Sequence, residues 1–339
     1  MLTLACLCAL HGGLFVYQLG APFPAEYWLY GCRIVKERLI RDLRSPKLLV
    51  AGGSNVLFGI DSAMLEDSLE IPTFNLALHG EMFLWQTLPD VQAHVAPGDH
   101  VLLAPGWAAY EPQPRYNAWL IDQVMTWDTE YFWQRDVLEK ARFVGSVPVP
   151  RLLAGCMLQA FGRNLPEAVQ RRLPPPAEII EEYEQRPEGR TTERALVYSH
   201  LNLSARGDIV QTVAGRIERE DYGLGEAFRE NDDTWSTLRT FREYCYARGV
   251  RVHLTWPPTV RSRRRPVFQA EAVRAHLREI RRHVEEVGIT VLGEPQEFEY
   301  DRSLFADTPY HLNARGRALR TREIIRLLGE RLPSRAAVP

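Results

Sequence analysis

Five short apolar runs divide the chain, and segments with helical periodicity separate them. The runs are brief and mostly apolar, which is typical of strands covered on both faces of a sheet. The helical segments carry apolar residues three and four positions apart. This alternation predicts an α/β fold with a parallel sheet. The predicted strands are 47–51, 73–78, 100–104, 250–256 and 288–292, and the predicted helices are 62–69, 81–95, 231–248, 268–287 and 314–331, the last with Asn313 as its N-cap.

The first 25 residues carry no charged side chain. Leu2 to Pro22 is mostly apolar and would span roughly 30 Å as a helix, which is enough to cross the core of a bilayer. We therefore predict a membrane anchor over 1–25, with a cleaved signal peptide and a buried core helix as alternatives. An amphipathic linker helix is predicted over 26–45, and it begins with the aromatic residues expected at a membrane interface, Tyr27, Trp28 and Tyr30.

A gap of roughly 145 residues separates the third and fourth predicted strands, far more than an ordinary connection. It contains helical segments, so we predict an inserted helical subdomain or cap over 112–230. The α/β domain then comprises 46–111 and 231–332, followed by a tail at 333–339. The helices predicted within the gap are 117–125, 133–143, 150–163, 176–184 and 208–218.

Charge and composition exclude several classes of protein. The 339 residues include 41 basic and 43 acidic side chains, so no global field attracts nucleic acid. Five cysteines without a CxxC pair indicate neither a disulfide framework nor a zinc site. The mean hydropathy of −0.25 excludes a protein with many membrane spans. The basic run RSRRR at 261–265 is either a solvated loop or a contact for anionic lipid or an acidic partner.

The first predicted strand runs into the sequence GGSN, in which Ser54 follows two glycines and precedes a short helix. Glycines let the backbone turn tightly, and a serine there projects at the carboxyl end of the strand. The N–H groups of Ser54 and Asn55 would point into the same space as anion-binding donors. The alternative is a glycine-rich turn in which Ser54 only caps the helix. The sequence is neither GxGxxG nor a P-loop, so nucleotide binding is disfavoured.

Two further segments supply groups that a nucleophilic serine requires. Asp307 and His311 lie in one loop before the last predicted helix, where an imidazole can act as base and a carboxylate can orient it. Gly80 follows the second predicted strand and offers a further oxyanion N–H donor. The alternatives are a helix start capped by Asp307 or Asn313 and a plain turn at Gly80.

In combination, GGSN after the first strand, a glycine after the second and DTPYHLN before the last helix resemble the SGNH/GDSL hydrolase superfamily. The similarity covers residues 45–110 and 248–331 and looks closest to its membrane-anchored, cell-envelope branch, which includes alginate O-acetyltransferase-like and D-alanyl-transfer proteins. This resemblance implies a flavodoxin-like three-layer sandwich with a five-stranded parallel sheet, a helical insertion and an N-terminal membrane helix. It also implies the triad Ser54, His311 and Asp307, with an oxyanion hole at Ser54, Asn55 and Gly80.

The resemblance further implies an extracytoplasmic, membrane-anchored O-acyltransferase, most simply an O-acetyltransferase, that modifies a cell-surface or exported polysaccharide. An integral-membrane acyltransferase would supply the acyl group, and no metal or other cofactor is implied. A carbohydrate esterase with the same triad and a non-catalytic scaffold of a polysaccharide export complex are the alternatives.

This sequence departs from the superfamily pattern in two places. The Asp–His interval, DTPYH, is one residue longer than in many members, as the envelope branch often shows. No asparagine follows the third strand before Asn117, although hydrolases usually carry an oxyanion asparagine there. Either the oxyanion hole is built from backbone groups and another donor, or hydrolysis by water is not the main task. The second option favours a transferase, because a weakly activated water suits transfer of the acyl group to a sugar hydroxyl. Four residues near the strand ends are candidates to stack on or bind a sugar or, for the aromatic ones, to pack in the core: Trp107, Tyr110, Glu111 and Trp256.

Overall fold

The computed structural model describes residues 2–161, 173–186, 197–212, 217, 224, 228–262 and 267–332. The chain divides into two compact units. One comprises Met1–Gly31 and Pro114–Glu181, and the other comprises Cys32–Gln113 and Glu182–Pro339. The N-terminal segment and the first part of the predicted insertion therefore belong to the same unit, and the later part of that insertion belongs to the α/β unit.

The strands of the larger unit are β1 Leu48–Gly52, β2 Thr73–Asn75, β3 His100–Ala104, β4 Arg251–Leu254, β5 Thr259–Val260, β6 Thr290–Val291 and β7 Glu299–Tyr300. A five-stranded parallel sheet forms the centre of this unit, in the order β2-β1-β3-β4-β6. This is the strand order of flavodoxin-like doubly wound folds, in which sites form at the carboxyl edge where the order reverses, here between β1 and β3. A separate parallel pair joins β5 and β7.

The described ranges contain thirteen α-helices. In chain order from α1 to α13 they are Leu2–Gln18, Tyr27–Ile40, Ser54–Leu57, Ser62–Leu69, Leu84–His94, Ala118–Thr126, Thr129–Trp133, Val137–Ser146, Val149–Phe161, Pro176–Gln185, Asp232–Tyr246, Glu271–Glu286 and Ala314–Gly329. In the larger unit, α5 packs with α11 and α4 packs with α13, an arrangement consistent with helical layers on both faces of the sheet. Asn313 caps α13 by accepting from two backbone N–H groups, as predicted.

The α/β class, the parallel sheet and all five of its strands agree with the sequence prediction, although four of the strands differ at their ends. The second strand stops at Asn75 instead of residue 78, and there the Asn75 side chain accepts from the Ala77 N–H, a local bond that competes with continuation of the strand. The predicted helix 133–143 begins too early: α7 ends at Trp133, and α8, which covers residues 137–143 of the prediction, starts after Asp136 as its N-cap.

Several predicted segments fall partly or wholly outside the described residues, among them residues 162 and 163 of the predicted helix 150–163. Of the predicted helix 208–218, the described residues 208–212 are not helical, and Ile209 forms an antiparallel bridge with Leu203. Residues 213–216 and 218 lie outside the described ranges, as do residues 263–265 of the basic run and the whole tail at 333–339.

The smaller unit is helical in its described parts, and α1 packs against α9. Among the described residues, no single helix is both long and apolar enough to cross a membrane. The apolar part of α1, Cys6–Gln18, falls short of that length, so the predicted membrane-spanning helix is not confirmed. By length and composition alone, α8 and α9 would pass as a pair, and they are bent by 94° at the break between them.

Candidate active site

Ser54 stands at the carboxyl end of β1, as the first residue of α3. Gly53 precedes it as the N-cap, and a Cβ at Gly53 would lie only 2.9 Å from the α-carbon of Gly80. Gly80 in turn approaches the serine, since a Cβ at Gly80 would lie 3.1 Å from Ser54 Oγ. Two glycines thus allow the segment after β2 to pass directly beside the candidate nucleophile.

Three backbone N–H groups near Ser54 are free to bind an anion. Ser54 is partly exposed, and no described residue forms a hydrogen bond with its Oγ. The N–H groups of Ser54, Asn55 and Gly80 likewise have no acceptor within the described ranges. The first N–H groups of a helix lack intrahelical partners, so the N–H groups of Ser54 and Asn55 are available because these residues begin α3. The three N–H groups predicted for an oxyanion hole are therefore unpaired and near one serine.

Asp307 and His311 form a hydrogen-bonded pair in the loop before α13, with His311 Nδ1 2.9 Å from Asp307 Oδ1. The loop is closed by an antiparallel bridge between Phe305 and Leu312. Thr308 Oγ1 also accepts from the His311 N–H at 3.1 Å. Closing the loop at its base places the two side chains next to each other, which the four-residue spacing alone leaves undetermined.

Phe58 links the two halves of the candidate triad. It is the C-cap residue of α3, the helix that begins at Ser54, and it is fully buried. Its ring stacks on the His311 imidazole with centroids 4.1 Å apart and planes at 18°. His311 is therefore held against the short helix that presents Ser54. Within the described residues, no hydrogen bond joins Ser54 Oγ to the imidazole.

The Asp307 carboxylate is held in its charged form. Burial opposes the charge, but hydrogen bonding to His311, the charge of that imidazole and a hydrogen bond from Tyr198 outweigh it, so the pKa of Asp307 lies below its ordinary value. A charged carboxylate beside Nδ1 fixes a proton there and leaves Nε2 free to act as base.

Tyr198 is a site residue that the sequence does not indicate. Its hydroxyl donates to Asp307 Oδ2 and lies 3.5 Å from His311 Nδ1, and its ring lies 5.6 Å from that of Phe58. Tyr198 comes from the long segment between β3 and β4, for which no motif or periodicity predicts a contact with the loop before α13. No feature of the sequence would have identified it.

The Asn55 side chain faces β3, so only the backbone N–H of Asn55 is left for the predicted oxyanion role. Asn55 Nδ2 donates to the Ala104 carbonyl at 3.0 Å. The Asn55 carbonyl accepts from the guanidinium of Arg320 at 2.6 Å, and the same group donates to the Trp256 carbonyl at 3.1 Å. Arg320 is fully buried, and burial lowers its pKa to about 10. These bonds fix the first turn of α3 beneath Ser54.

The four candidate sugar contacts lie in the core, which corrects their predicted role in binding. Trp107, Tyr110 and Trp256 are each 0% exposed, and Trp107 stacks on Trp256 with ring centroids 5.7 Å apart. The indole N–H of Trp107 donates to Thr259 Oγ1, and that of Trp256 donates to the Gly293 carbonyl. Glu111 is buried and pairs with Arg229 at 3.0 Å. Large aromatic rings are well suited to packing in a core, and all three are used that way here.

Across the described part of the chain, no group of three or more His, Cys, Asp or Glu side chains is arranged to hold a metal ion. No protein-family model matches this sequence, and no curated protein sequence matches it significantly.

Proposed function

We propose that this protein is a serine O-acyltransferase of the SGNH type, with Ser54 as nucleophile, His311 as base and Asp307 as the group that orients the base. One observation carries the proposal. The bonded pair Asp307–His311 is stacked, through Phe58, on the helix whose first residue is Ser54. The alternative roles, a helix cap and a surface histidine, do not require that stacking, and Asn313 already caps α13.

The chemistry follows from the positions of the groups. His311 Nε2 removes the Ser54 proton, and Oγ attacks the carbonyl carbon of an acyl ester, most simply an acetyl ester. The N–H groups of Ser54 or Asn55 and of Gly80 stabilise the resulting oxyanion, and each such donor is typically worth about 2.7–4 kcal/mol. The donor alcohol leaves with the proton from His311, which gives acetyl-Ser54.

The second half of the reaction returns the enzyme to its starting state. His311 deprotonates a hydroxyl of the acceptor polysaccharide, and that oxygen attacks the acetyl carbonyl. The tetrahedral intermediate collapses, the Ser54 oxygen takes the proton back from His311, and the acetylated glycan departs. Water as acceptor would give the esterase reaction with the same three side chains.

The setting of the reaction belongs to the same proposal. We place the catalytic unit outside the cytoplasm, held at a membrane by the uncharged N-terminal segment, with an integral-membrane acyltransferase as the donor's source. Two facts support this setting: the first 25 residues carry no charge, and apolar side chains of α1, Leu7 and Leu10 among them, are more than half exposed. Exposed apolar helix surface is typical of contact with lipid or with another apolar surface.

The test uses the full chain and p-nitrophenyl acetate. Ser54→Ala is expected to lower the rate by at least about 10³-fold, because the nucleophile is removed while the oxyanion donors stay. Ser236→Ala is the matched control, since Ser236 lies exposed on α11. Equal rates for wild type and Ser54→Ala would contradict the proposal. With labelled acetyl donor and a polysaccharide acceptor, label on the glycan indicates a transferase, free acetate alone an esterase, and neither a scaffold.

A further inference from the structure

Both oxygens of the Asp307 carboxylate are engaged, and each has a different partner. Oδ1 faces His311 Nδ1 at 2.9 Å, and Oδ2 accepts the hydroxyl proton of Tyr198. The same tyrosine oxygen lies 3.5 Å from His311 Nδ1. Tyr198 thus contacts both members of the base pair, although it lies 109 residues from Asp307 in the chain.

We propose that Tyr198 is a positioning residue of the triad: its hydroxyl holds Asp307 Oδ2 so that Oδ1 stays directed at His311 Nδ1. This inference rests on the proposed serine chemistry. A carboxylate held at one oxygen can rotate about the bond to its Cβ, whereas a carboxylate held at both has a fixed plane. The rotation matters because the imidazole must keep Nε2 directed at the serine, and small misplacements of a catalytic group are costly.

The direction of the Tyr198 hydrogen bond also favours one tautomer of His311. The tyrosine proton points to the carboxylate, so the tyrosine oxygen presents lone pairs toward Nδ1. Asp307 Oδ1 and the Tyr198 oxygen are therefore both acceptors on that side of the ring. An imidazole facing two acceptors carries its proton on Nδ1, which leaves Nε2 unprotonated and able to take the serine proton.

The backbone around Tyr198 is fixed by its neighbours. Val197 is buried, and its carbonyl accepts from Asn202 Nδ2 at 3.0 Å. Ser199 caps the short 3-10 helix His200–Asn202 by accepting from the Leu201 N–H at 3.2 Å. The Tyr198 ring is itself packed near Phe58, which stacks on His311. A side chain supported in this way can hold its hydroxyl at one place, as a positioning role requires.

The first test compares Tyr198→Phe with a matched control. The substitution removes only the hydroxyl and keeps the ring that packs near Phe58, so the fold is expected to be retained. We expect kcat for p-nitrophenyl acetate to fall by about tenfold or more, with KM within about twofold of wild type. Tyr246→Phe is the control, because Tyr246 is 71% exposed on α11. An unchanged kcat for Tyr198→Phe would overturn the inference.

A double-mutant cycle tests whether Tyr198 acts through Asp307. In an Asp307→Ala background the carboxylate is gone, so adding Tyr198→Phe is expected to change the residual rate by less than about twofold. A full additional loss in that background would overturn the inference, because the tyrosine would then act independently of the carboxylate. The residual rate of Ser54→Ala is the background rate for both measurements. If Ser54→Ala retains full activity, the serine chemistry fails. If Ser54→Ala lowers the rate but Tyr198→Phe does not, only the positioning role of Tyr198 is refuted.

A nuclear magnetic resonance measurement gives a readout independent of turnover. With ¹⁵N-histidine label, the proton on His311 Nδ1 is expected to give a low-field resonance that disappears in His311→Ala. In Tyr198→Phe that resonance is expected to shift and to broaden by exchange with water, since the carboxylate and imidazole are less firmly held. A purely structural tyrosine would leave it unchanged, and that result would overturn the inference.

Discussion

Gly80 lies against Ser54 so closely that a methyl group on Gly80 would stand 3.1 Å from the serine Oγ. The segment after β2 and the turn after β1 therefore meet at the candidate nucleophile. In the proposed reaction the space between them receives the developing oxyanion, and the Gly80 N–H is one of its donors. Because of this close approach, a single methyl group added at Gly80 is expected to disturb the site.

Gly80→Ala is expected to reduce kcat/KM for p-nitrophenyl acetate by at least about tenfold, because the added methyl forces Oγ or the Gly80 backbone to shift by a few tenths of an ångström. Gly106→Ala is the matched control. Gly106 follows β3 at the same edge of the sheet, and a Cβ there meets nothing within 4 Å. Similar activities for the two variants would place the reacting atoms away from Gly80.

Asp307→Asn is expected to lower kcat by about 10³–10⁴-fold, because an amide at this position can donate to Nδ1 and so favours the wrong tautomer of His311. The fold should be retained, since the amide keeps the shape of the carboxyl group. Steady-state kinetics on the same ester measure the loss. Asp42→Asn, at an exposed position, serves as the control for removing one negative charge. A loss no larger than that of Asp42→Asn would refute the role assigned to Asp307.

Arg320→Leu is expected to lower the free energy of unfolding by about 2–4 kcal/mol, since the buried carbonyls of Asn55 and Trp256 lose a charged donor. Arg322→Leu on the same helix is the control, because Arg322 is exposed. Urea unfolding followed by tryptophan fluorescence measures both. If the two variants unfold at the same urea concentration, the guanidinium does not stabilise the turn that carries Ser54.

The sheet could be predicted from the sequence because most of its strand residues are buried, and β1, β2 and β3 are buried along their whole length. Runs such as HVLLA at His100–Ala104 are apolar without alternation, and β3 has the bounds the pattern predicts. The hydrophobic pattern does not predict the break between α7 and α8, because apolar periodicity continues across it. Only the N-cap residue Asp136 indicates that a new helix begins. Local capping chemistry prevailed over periodicity there.

The candidate site could be predicted only where its residues follow strands or precede helices. Ser54, Gly80 and the Asp307–His311 loop occupy such positions, and the structure brings them near one another through the close approach of Gly80 to Ser54 and the stacking of Phe58 on His311. Tyr198 has no local signal, since its role depends on how a long connection returns to the sheet. The error on Trp107 and Trp256 has a physical cause as well, because rings at strand ends are as well suited to the core as to a sugar.

Two stacked histidines on neighbouring strands indicate how stability depends on pH. His100 on β3 and His253 on β4 are both buried, and their rings lie 6.0 Å apart at 13°. Neither His253 nitrogen has a hydrogen-bond partner among the described residues, and neither does His100 Nδ1. Burial, followed by the charges of His100 and Arg251, lowers the pKa of His253 to about 4, and burial lowers that of His100 as well.

Wild type is therefore expected to lose stability as pH falls from about 6.5, the pKa of an unfolded histidine, toward 4. Between pH 6.5 and 4 the unfolded chain binds a proton at His253 that the folded chain does not bind, so acid favours unfolding in this range. Above pH 6.5 His253 is neutral in both states, and the folded state keeps its full stability. The shift from the unfolded value to about 4 corresponds to a loss of about 3 kcal/mol from His253 alone. His253→Gln cannot titrate, so its unfolding free energy, measured in urea between pH 7 and 4, should fall by about 3 kcal/mol less than that of wild type. An equal fall in both proteins would show that His253 is not the group that titrates.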